Sequence, residues 1–171
     1  YRDTEFQEVA RGGWAVGVID ANDQVIAAAY GTPPEWVTDI GGAEAWGLYQ
    51  GCLMTIPQQT KYWPDCKPLM VAMQKKQYMA RNPRNPLARI HGMIATALED
   101  TAPDTVGWMP AHMEYEHIGI ALKSDGTLIT LADWSANALA DELAKRAVEL
   151  HRVPASEGKI WRKEANKVEQ R

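Results

Sequence analysis

Four acidic residues occupy positions from which a folded chain could bring their carboxyl groups together. Asp3 lies on a predicted first strand that pairs with a β-hairpin, and Asp65 closes a short predicted strand, whereas Glu44 and Asp141 lie in predicted helices. In a compact mixed sheet the ends of the first and fourth strands are neighbours, and the first and last helices can flank them. Converging carboxylates repel one another unless a cation neutralises them. Such hard oxygen ligands suit Mg²⁺ or Mn²⁺.

The elements that must position these acids follow from hydrophobic periodicity and turn residues. The β-rich runs 12–20 and 24–30, separated by a polar turn, predict a hairpin. Apolar spacing predicts the helices, and short β-rich runs predict two more strands. The predicted helices cover 41–54, 65–80, a segment that begins at Asn85, and 136–150; the strands cover 61–65 and 105–112. This order predicts an α/β chain with a mixed sheet and helices on its faces.

Asn137 and Asp141 lie one turn apart in the last of these helices. Its predicted apolar stripe consists of Ala136, Leu139, Ala140, Leu143, Ala147 and Leu150. Asn137 and Asp141 fall outside that stripe, on its far side. A solvated helix face explains this placement as well as a functional site does.

Charge is distributed unevenly along the chain. The formal net charge of −4 argues against a general polyanion binder, but 66–98 contains no Asp or Glu. The lysines and arginines of this segment are Lys67, Lys75, Lys76, Arg81, Arg84 and Arg89. They are expected to form a surface that binds phosphates, with a solvated lysine-rich helix as the alternative.

The 171 residues suffice for one domain with a core of its own. No apolar run approaches the ~20 residues of a membrane span, and no secretory signal is recognisable, so no membrane partner is expected. Cys52 and Cys66 lack metal or redox spacing, which favours a reducing intracellular compartment, either cytoplasm or nucleus. Because the chain opens on "YRDTEF", we expect it to be part of a longer polypeptide.

Several motifs resemble those of the ribonuclease H family, including the RNase H domains of retroelement reverse transcriptases. They are "YRD" with "GGWAVGVID", "AEAWGLYQGCL", "DCKPLM", "WMPAH" and "NALADELAK". The resemblance covers 1–152 and leaves 153–171 as a C-terminal extension or linker. It implies an α/β fold with a five-stranded mixed sheet, an antiparallel hairpin followed by parallel strands, flanked by helices.

The same resemblance implies a function. The chain would hydrolyse the RNA strand of an RNA–DNA hybrid with two Mg²⁺ or Mn²⁺ ions, as one domain of a reverse transcriptase-type protein. The implied metal ligands are Asp3, Glu44, Asp65 and Asp141, and His112 would be the mobile loop histidine. Asn137 and the cations of 66–98 would contact the hybrid, with little sequence preference.

Simpler interpretations remain open for each residue. Asp3 could be a surface acid, Glu44 a favourable charge in a first helical turn, and Asp65 a helix cap. The "DTE" at Asp3 and the long 113–135 segment depart from the family pattern. The segment's "HMEYEHI" does not have the spacing of a His-Glu-x-x-His zinc motif. The alternative function is a non-catalytic module of the same family that binds nucleic acid or serves as a scaffold.

Overall fold

A computed structural model describes residues 12–152 and 154–169 of the chain. Strand β1 (Trp14–Ile19) pairs antiparallel with strand β2 (Val25–Gly31). The turn between them is closed by Asp20, whose Oδ1 accepts hydrogen bonds from the backbone N–H groups of Asn22 and Gln24. The predicted hairpin is therefore confirmed.

Helices make up most of the rest of the described chain. They are α1 (Ile40–Met54), α2 (Lys67–Gln74), α3 (Lys76–Arg81), α4 (Ala88–Ala97), α5 (Leu131–Leu150) and α6 (Ala155–Glu169), with 3₁₀ turns at Pro57–Gln59 and Tyr115–His117. The single helix predicted over 65–80 is wrong, because Lys75 leaves the helical conformation between α2 and α3. No helix in the described ranges is long and apolar enough to span a membrane.

The predicted five-stranded mixed sheet is wrong. Among the described residues the only sheet is the two-stranded β1–β2 pair, and the other pairings are isolated bridges. Segments 61–65 and 105–109 run parallel through three backbone hydrogen bonds, which we call the parallel ladder. The bonds are Tyr62 N–H to Thr105 C=O (2.9 Å), Gly107 N–H to Tyr62 C=O (2.9 Å) and Met109 N–H to Pro64 C=O (3.2 Å).

Proline explains why this ladder stays short. Pro64 has no N–H to donate, so the ladder lacks the bond that this residue would otherwise form and does not become a regular strand pair. The strand predicted over 105–112 is thus reduced to a single bridge at Val106. The first predicted strand, around Asp3, lies outside the described residues.

The helices pack in a way that leaves a gap beside β1. Helices α1, α2 and α4 share a core with Tyr62 and Val106 of the ladder, and Ile90, Ile94 and Leu98 are fully buried in it. Helix α5 packs on both strands of the hairpin, while α1 contacts β1 alone. Gly13 allows the closest approach, since a Cβ there would overlap the carbonyl oxygen of Ala144. Helices α1 and α5 therefore meet the same strand and enclose the space next to it.

Candidate active-site cleft

A cleft of about 520 Å³ lies between α1, α5, β1 and the parallel ladder. Its helical walls carry small side chains, which keep it open. The small residues are Ala43, Gly47 and Gly51 of α1 and Ala136, Ala140 and Ala144 of α5. Charged side chains line two ends of the cleft, which differ in charge, and Asn137 lies between these ends.

The acid end is formed by Glu44, Asp65 and Asp141, which all line the cleft. Burial, together with the negative charges of Asp65 and Asp141, raises the pKa of Glu44 to about 7. Burial likewise raises the pKa of Asp65; His112 opposes this rise and Asp141 adds to it. The structure therefore brings three of the four predicted acids into one electrostatically coupled group. Asp3 lies outside the described residues.

Glu44 is placed by the start of α1. Asp39 is the N-cap, and its Oδ1 accepts a 2.6 Å hydrogen bond from the Gly42 N–H. Glu44 follows beyond the first turn, which contains no acidic residue. The simpler interpretation of Glu44 as a first-turn charge is thus not supported. Gly47 lies beside Trp14 and Gly51 beside Tyr62, but a Cβ at either position would make only ordinary van der Waals contact, so these neighbours do not require glycine.

Asp65 is placed by the end of the parallel ladder. Its carbonyl oxygen accepts a 2.9 Å hydrogen bond from Nε1 of Trp108, across the ladder. The N-cap of α2 is Cys66, and no side chain caps this helix. Asp65 therefore does not act as the helix cap that the sequence allowed.

Asn137 and Asp141 lie on the flank of the buried face of α5 rather than opposite to it. The buried residues of this helix are Ala132, Asp133, Ala136, Ala144, Ala147 and Val148, whereas Leu150 of the predicted stripe is exposed. Asp133, Asn137 and Asp141 follow at four-residue intervals and all line the cleft. Asp141 is also half-exposed, and its Oδ2 accepts a 2.6 Å bond from Lys145 Nζ. It therefore belongs to both the cleft and the solvated surface.

His112 lies at the edge of the acid end. Its side chain is exposed, and its φ of 50° places the backbone in the left-handed region. Its charge lowers the pKa of Asp65 against the effect of burial. His117, in the same segment, accepts a 3.0 Å hydrogen bond at Nδ1 from the Glu114 N–H and so closes a 3₁₀ turn. That turn explains the clustered His and Glu residues without a metal.

The donor chemistry of the acid end suits a hard divalent cation. Three carboxyl groups from separate elements face one cleft, and one of them has its pKa raised by the other two. A cation bound there would relieve this repulsion. Within 12–152 and 154–169, however, no three His, Cys, Asp or Glu side chains are arranged closely enough to hold a metal ion.

The predicted phosphate-binding cations lie elsewhere. The side chains of Lys67, Lys75, Arg81, Arg84 and Arg89 are exposed, and none of them lines the cleft. Lys67 lies 5.1 Å above the Trp108 ring, and the Arg89 guanidinium lies 4.2 Å above the Trp36 ring. Lys76 belongs to α3. Contact between these six cations and a substrate remains a prediction.

Sequence reasoning missed the other end of the cleft. This lysine end consists of Lys61, Trp63, Lys123 and Asp133, which all line the cleft. Lys123 Nζ donates a 2.9 Å hydrogen bond to Asp133 Oδ2 and lies 4.7 Å from the centre of the Trp63 ring. The alternation of Lys61, Trp63 and Asp65 was a readable signal, because alternate residues of an extended segment share a face.

Comparison with known proteins identifies no relative. No protein-family model matches the chain, and neither a curated protein nor a solved structure matches it. Membership of the ribonuclease H family therefore remains a prediction from the motifs. The function has to be argued from the cleft.

Proposed function

We propose that this chain hydrolyses the RNA strand of RNA–DNA hybrids in a reaction that requires divalent cations. One observation carries the proposal. Glu44, Asp65 and Asp141, far apart in sequence, line a single cleft, where burial and then the charges of Asp65 and Asp141 raise the pKa of Glu44 to about 7. Coupled carboxyl groups with raised pKa values in a cleft are typical of functional sites, since folding alone gains nothing from them.

In this proposal the carboxyl groups of the acid end bind the metal ions, and Asn137 and His112 have other roles. Glu44, Asp65 and Asp141, together with Asp3, would hold two Mg²⁺ or Mn²⁺ ions. When bound, such ions supply an activated water and Lewis-acid stabilisation of the phosphate and the leaving 3′ oxygen. Asn137, one turn from Asp141, offers an amide that can orient the substrate. His112 is exposed beside Asp65 and can transfer a proton to the leaving oxygen.

A second candidate is a nucleic-acid-binding or scaffold module without catalytic activity. It is favoured by the ion pair of Asp141 with Lys145, which occupies one candidate ligand. Under both proposals the chain works as one domain of a longer intracellular polypeptide, in which Cys52 and Cys66 stay reduced. In the described part of the chain, neither Cys52 nor Cys66 forms a disulfide bond.

Cleavage of an end-labelled RNA–DNA hybrid distinguishes the two candidates. We expect the RNA strand to be cut with Mg²⁺ or Mn²⁺ and left intact with EDTA, and we expect single-stranded RNA to be cut far less. The matched control is Asp65→Asn, which keeps the shape of the side chain and removes its charge. An intact hybrid that is nevertheless bound would favour the non-catalytic module. Equal cleavage by Asp65→Asn would exclude the acid end as the active site.

A further inference from the structure

The two long walls of the cleft change from acidic to cationic in the same direction. Along α5, Asp141 is followed toward the N-terminus by Asn137 and then by Asp133 with its partner Lys123. Eight helical residues span about 12 Å at 1.5 Å per residue. The cleft therefore extends well beyond the acid end along this wall.

The parallel ladder forms the matching wall. Asp65, Trp63 and Lys61 alternate along it and line the cleft, as do Tyr62 and Pro64, although most of Tyr62 is buried in the core. Four extended residues span about 13 Å at 3.3 Å per residue. Both walls thus place ammonium groups at a similar distance from the carboxyl groups, although they belong to different kinds of secondary structure.

The ammonium groups of the lysine end retain donors for a ligand. The bond from Lys123 to Asp133 uses one of the three N–H donors of its ammonium. Lys61 is half-exposed, and its ion pair with the exposed Asp104 measures 3.2 Å. Such exposed pairs contribute little and can exchange for another anion.

An aromatic ring lies between the two lysines. Lys123 Nζ is 4.7 Å and Lys61 Nζ 6.0 Å from the centre of the Trp63 ring. The ring packs against Gly107, where any Cβ would overlap it. Cations interleaved with an aromatic ring in a groove are typical of surfaces that bind a single nucleic-acid strand, with phosphates on the cations and a base or sugar on the ring.

We propose that the lysine end binds the sugar–phosphate backbone of the substrate strand, to one side of the phosphate that reaches the acid end. Lys61 and Lys123 contact a flanking phosphate, and Trp63 packs on the sugar or base between the two ends. The inference rests on the proposed function for the identity of the strand. It assigns phosphate binding to residues of the cleft rather than to the cations of 66–98.

Binding of a short fluorescein-labelled RNA–DNA hybrid tests this, measured by anisotropy in EDTA over a salt series. Without divalent cations the result does not depend on cleavage, so failure of the proposed function and failure of this inference are distinguishable. We expect Lys61→Gln to weaken binding about threefold to tenfold at low salt and to reduce the slope of log K against log[salt] by about one. The control Lys167→Gln, on α6, should match the wild type.

A second variant tests Lys123 without exposing an unpaired charge. Lys123→Met combined with Asp133→Asn removes both members of the ion pair, and the amide oxygen of Asn can still accept the hydrogen bond from the Thr130 N–H. The net charge does not change, so an effect of the overall field is excluded. We expect the salt slope again to fall by about one. Unchanged affinity and slope in both variants would overturn the inference, as would a loss confined to Lys75→Gln.

Discussion

The two ends of the cleft use charge in opposite ways. At the acid end, Glu44 and Asp65 are partly buried near other carboxyl groups, and the pKa of each is raised, first by burial and then by like charge. At the lysine end, Lys123 and Asp133 are only 11% and 9% exposed but carry opposite charges 2.9 Å apart. The same Asp133 oxygen also accepts hydrogen bonds from the backbone N–H and the hydroxyl of Thr130, which caps α5.

This difference distinguishes residues that stabilise the folded state from residues whose charges destabilise it. The Lys123–Asp133 pair ties the 113–130 segment to the start of α5, and so fixes the helix that carries Asn137 and Asp141. Among the described residues, no ion pair joins an acid-end side chain to another element, since that of Asp141 with Lys145 lies within α5. Groups that stay together at a cost in folding free energy are candidates for function, whereas satisfied pairs are candidates for support.

The largest expected effect is the loss of activity in Asp141→Asn. If Asp141 acts at the acid end, cleavage of the hybrid falls by orders of magnitude while the metal-free protein is as stable as the wild type or slightly more so. Mg²⁺ should also stabilise the variant less against urea. The matched control is Glu142→Gln, on an exposed position of the same helix. Full cleavage by Asp141→Asn at low Mg²⁺ would assign Asp141 to the solvated surface.

The next effect is on stability and concerns the lysine end. Lys123→Met leaves Asp133 buried without its cation, and we expect the free energy of unfolding to fall by about 3 kcal/mol. Urea denaturation measures this loss. Lys123→Met with Asp133→Asn should recover part of it, because no uncompensated charge remains. If Lys123→Met alone is as stable as the wild type, the ion pair of Lys123 with Asp133 does not stabilise α5.

A third effect separates the two ends by pH. The folded pKa of Glu44, about 7, lies above its ordinary value of 4.5, so folding favours the protonated form. The contribution of protonated Glu44 to the stability of the fold is therefore complete below about pH 4.5 and is lost as the pH rises through 7. Glu44→Gln should therefore gain about 3 kcal/mol over the wild type at pH 8 and almost nothing near pH 4.5, given about 1.4 kcal/mol per pKa unit.

Unfolding in urea at both pH values, with EDTA present, checks this prediction. Glu142→Gln removes an equal charge from the exposed face of α5 and should stay within about 0.5 kcal/mol of the wild type at both. An equal gain for Glu44→Gln at pH 4.5 and pH 8 would mean that Gln packs better than Glu, without any contribution from charge.

Local signals predicted the elements that carry the acids but not their assembly. The hairpin, α1 and α5 follow from turn residues and periodicity, so the positions of Glu44 and Asp141 could be assigned to helices. The predicted sheet was wrong because strand pairing is non-local, and Pro64 removes a bond from the parallel ladder. The break at Lys75 was missed because the helical pattern continues across it.

The lysine end shows the same limit in a different way. The four-residue spacing of Asp133, Asn137 and Asp141 is visible in the sequence, and so is the alternation from Lys61 to Asp65. Lys123, by contrast, lies in an irregular segment whose path is set by contacts such as the hydrogen bond from Trp108 N–H to Ser124 Oγ. No periodicity places such a residue, so its role could only come from the structure.

The smallest effect on stability concerns the ion pair between Asp141 and Lys145. Because both side chains are about half-exposed, Lys145→Gln should change the free energy of unfolding by less than about 0.5 kcal/mol. Its effect on cleavage is more informative, because the variant releases an Asp141 oxygen that now accepts the lysine ammonium. If that oxygen serves the acid end, the Mg²⁺ concentration for half-maximal cleavage should fall. Lys145→Arg, which keeps the charge, should retain the wild-type requirement. An unchanged Mg²⁺ requirement in Lys145→Gln would place Asp141 with the supporting ion pairs rather than with Glu44 and Asp65.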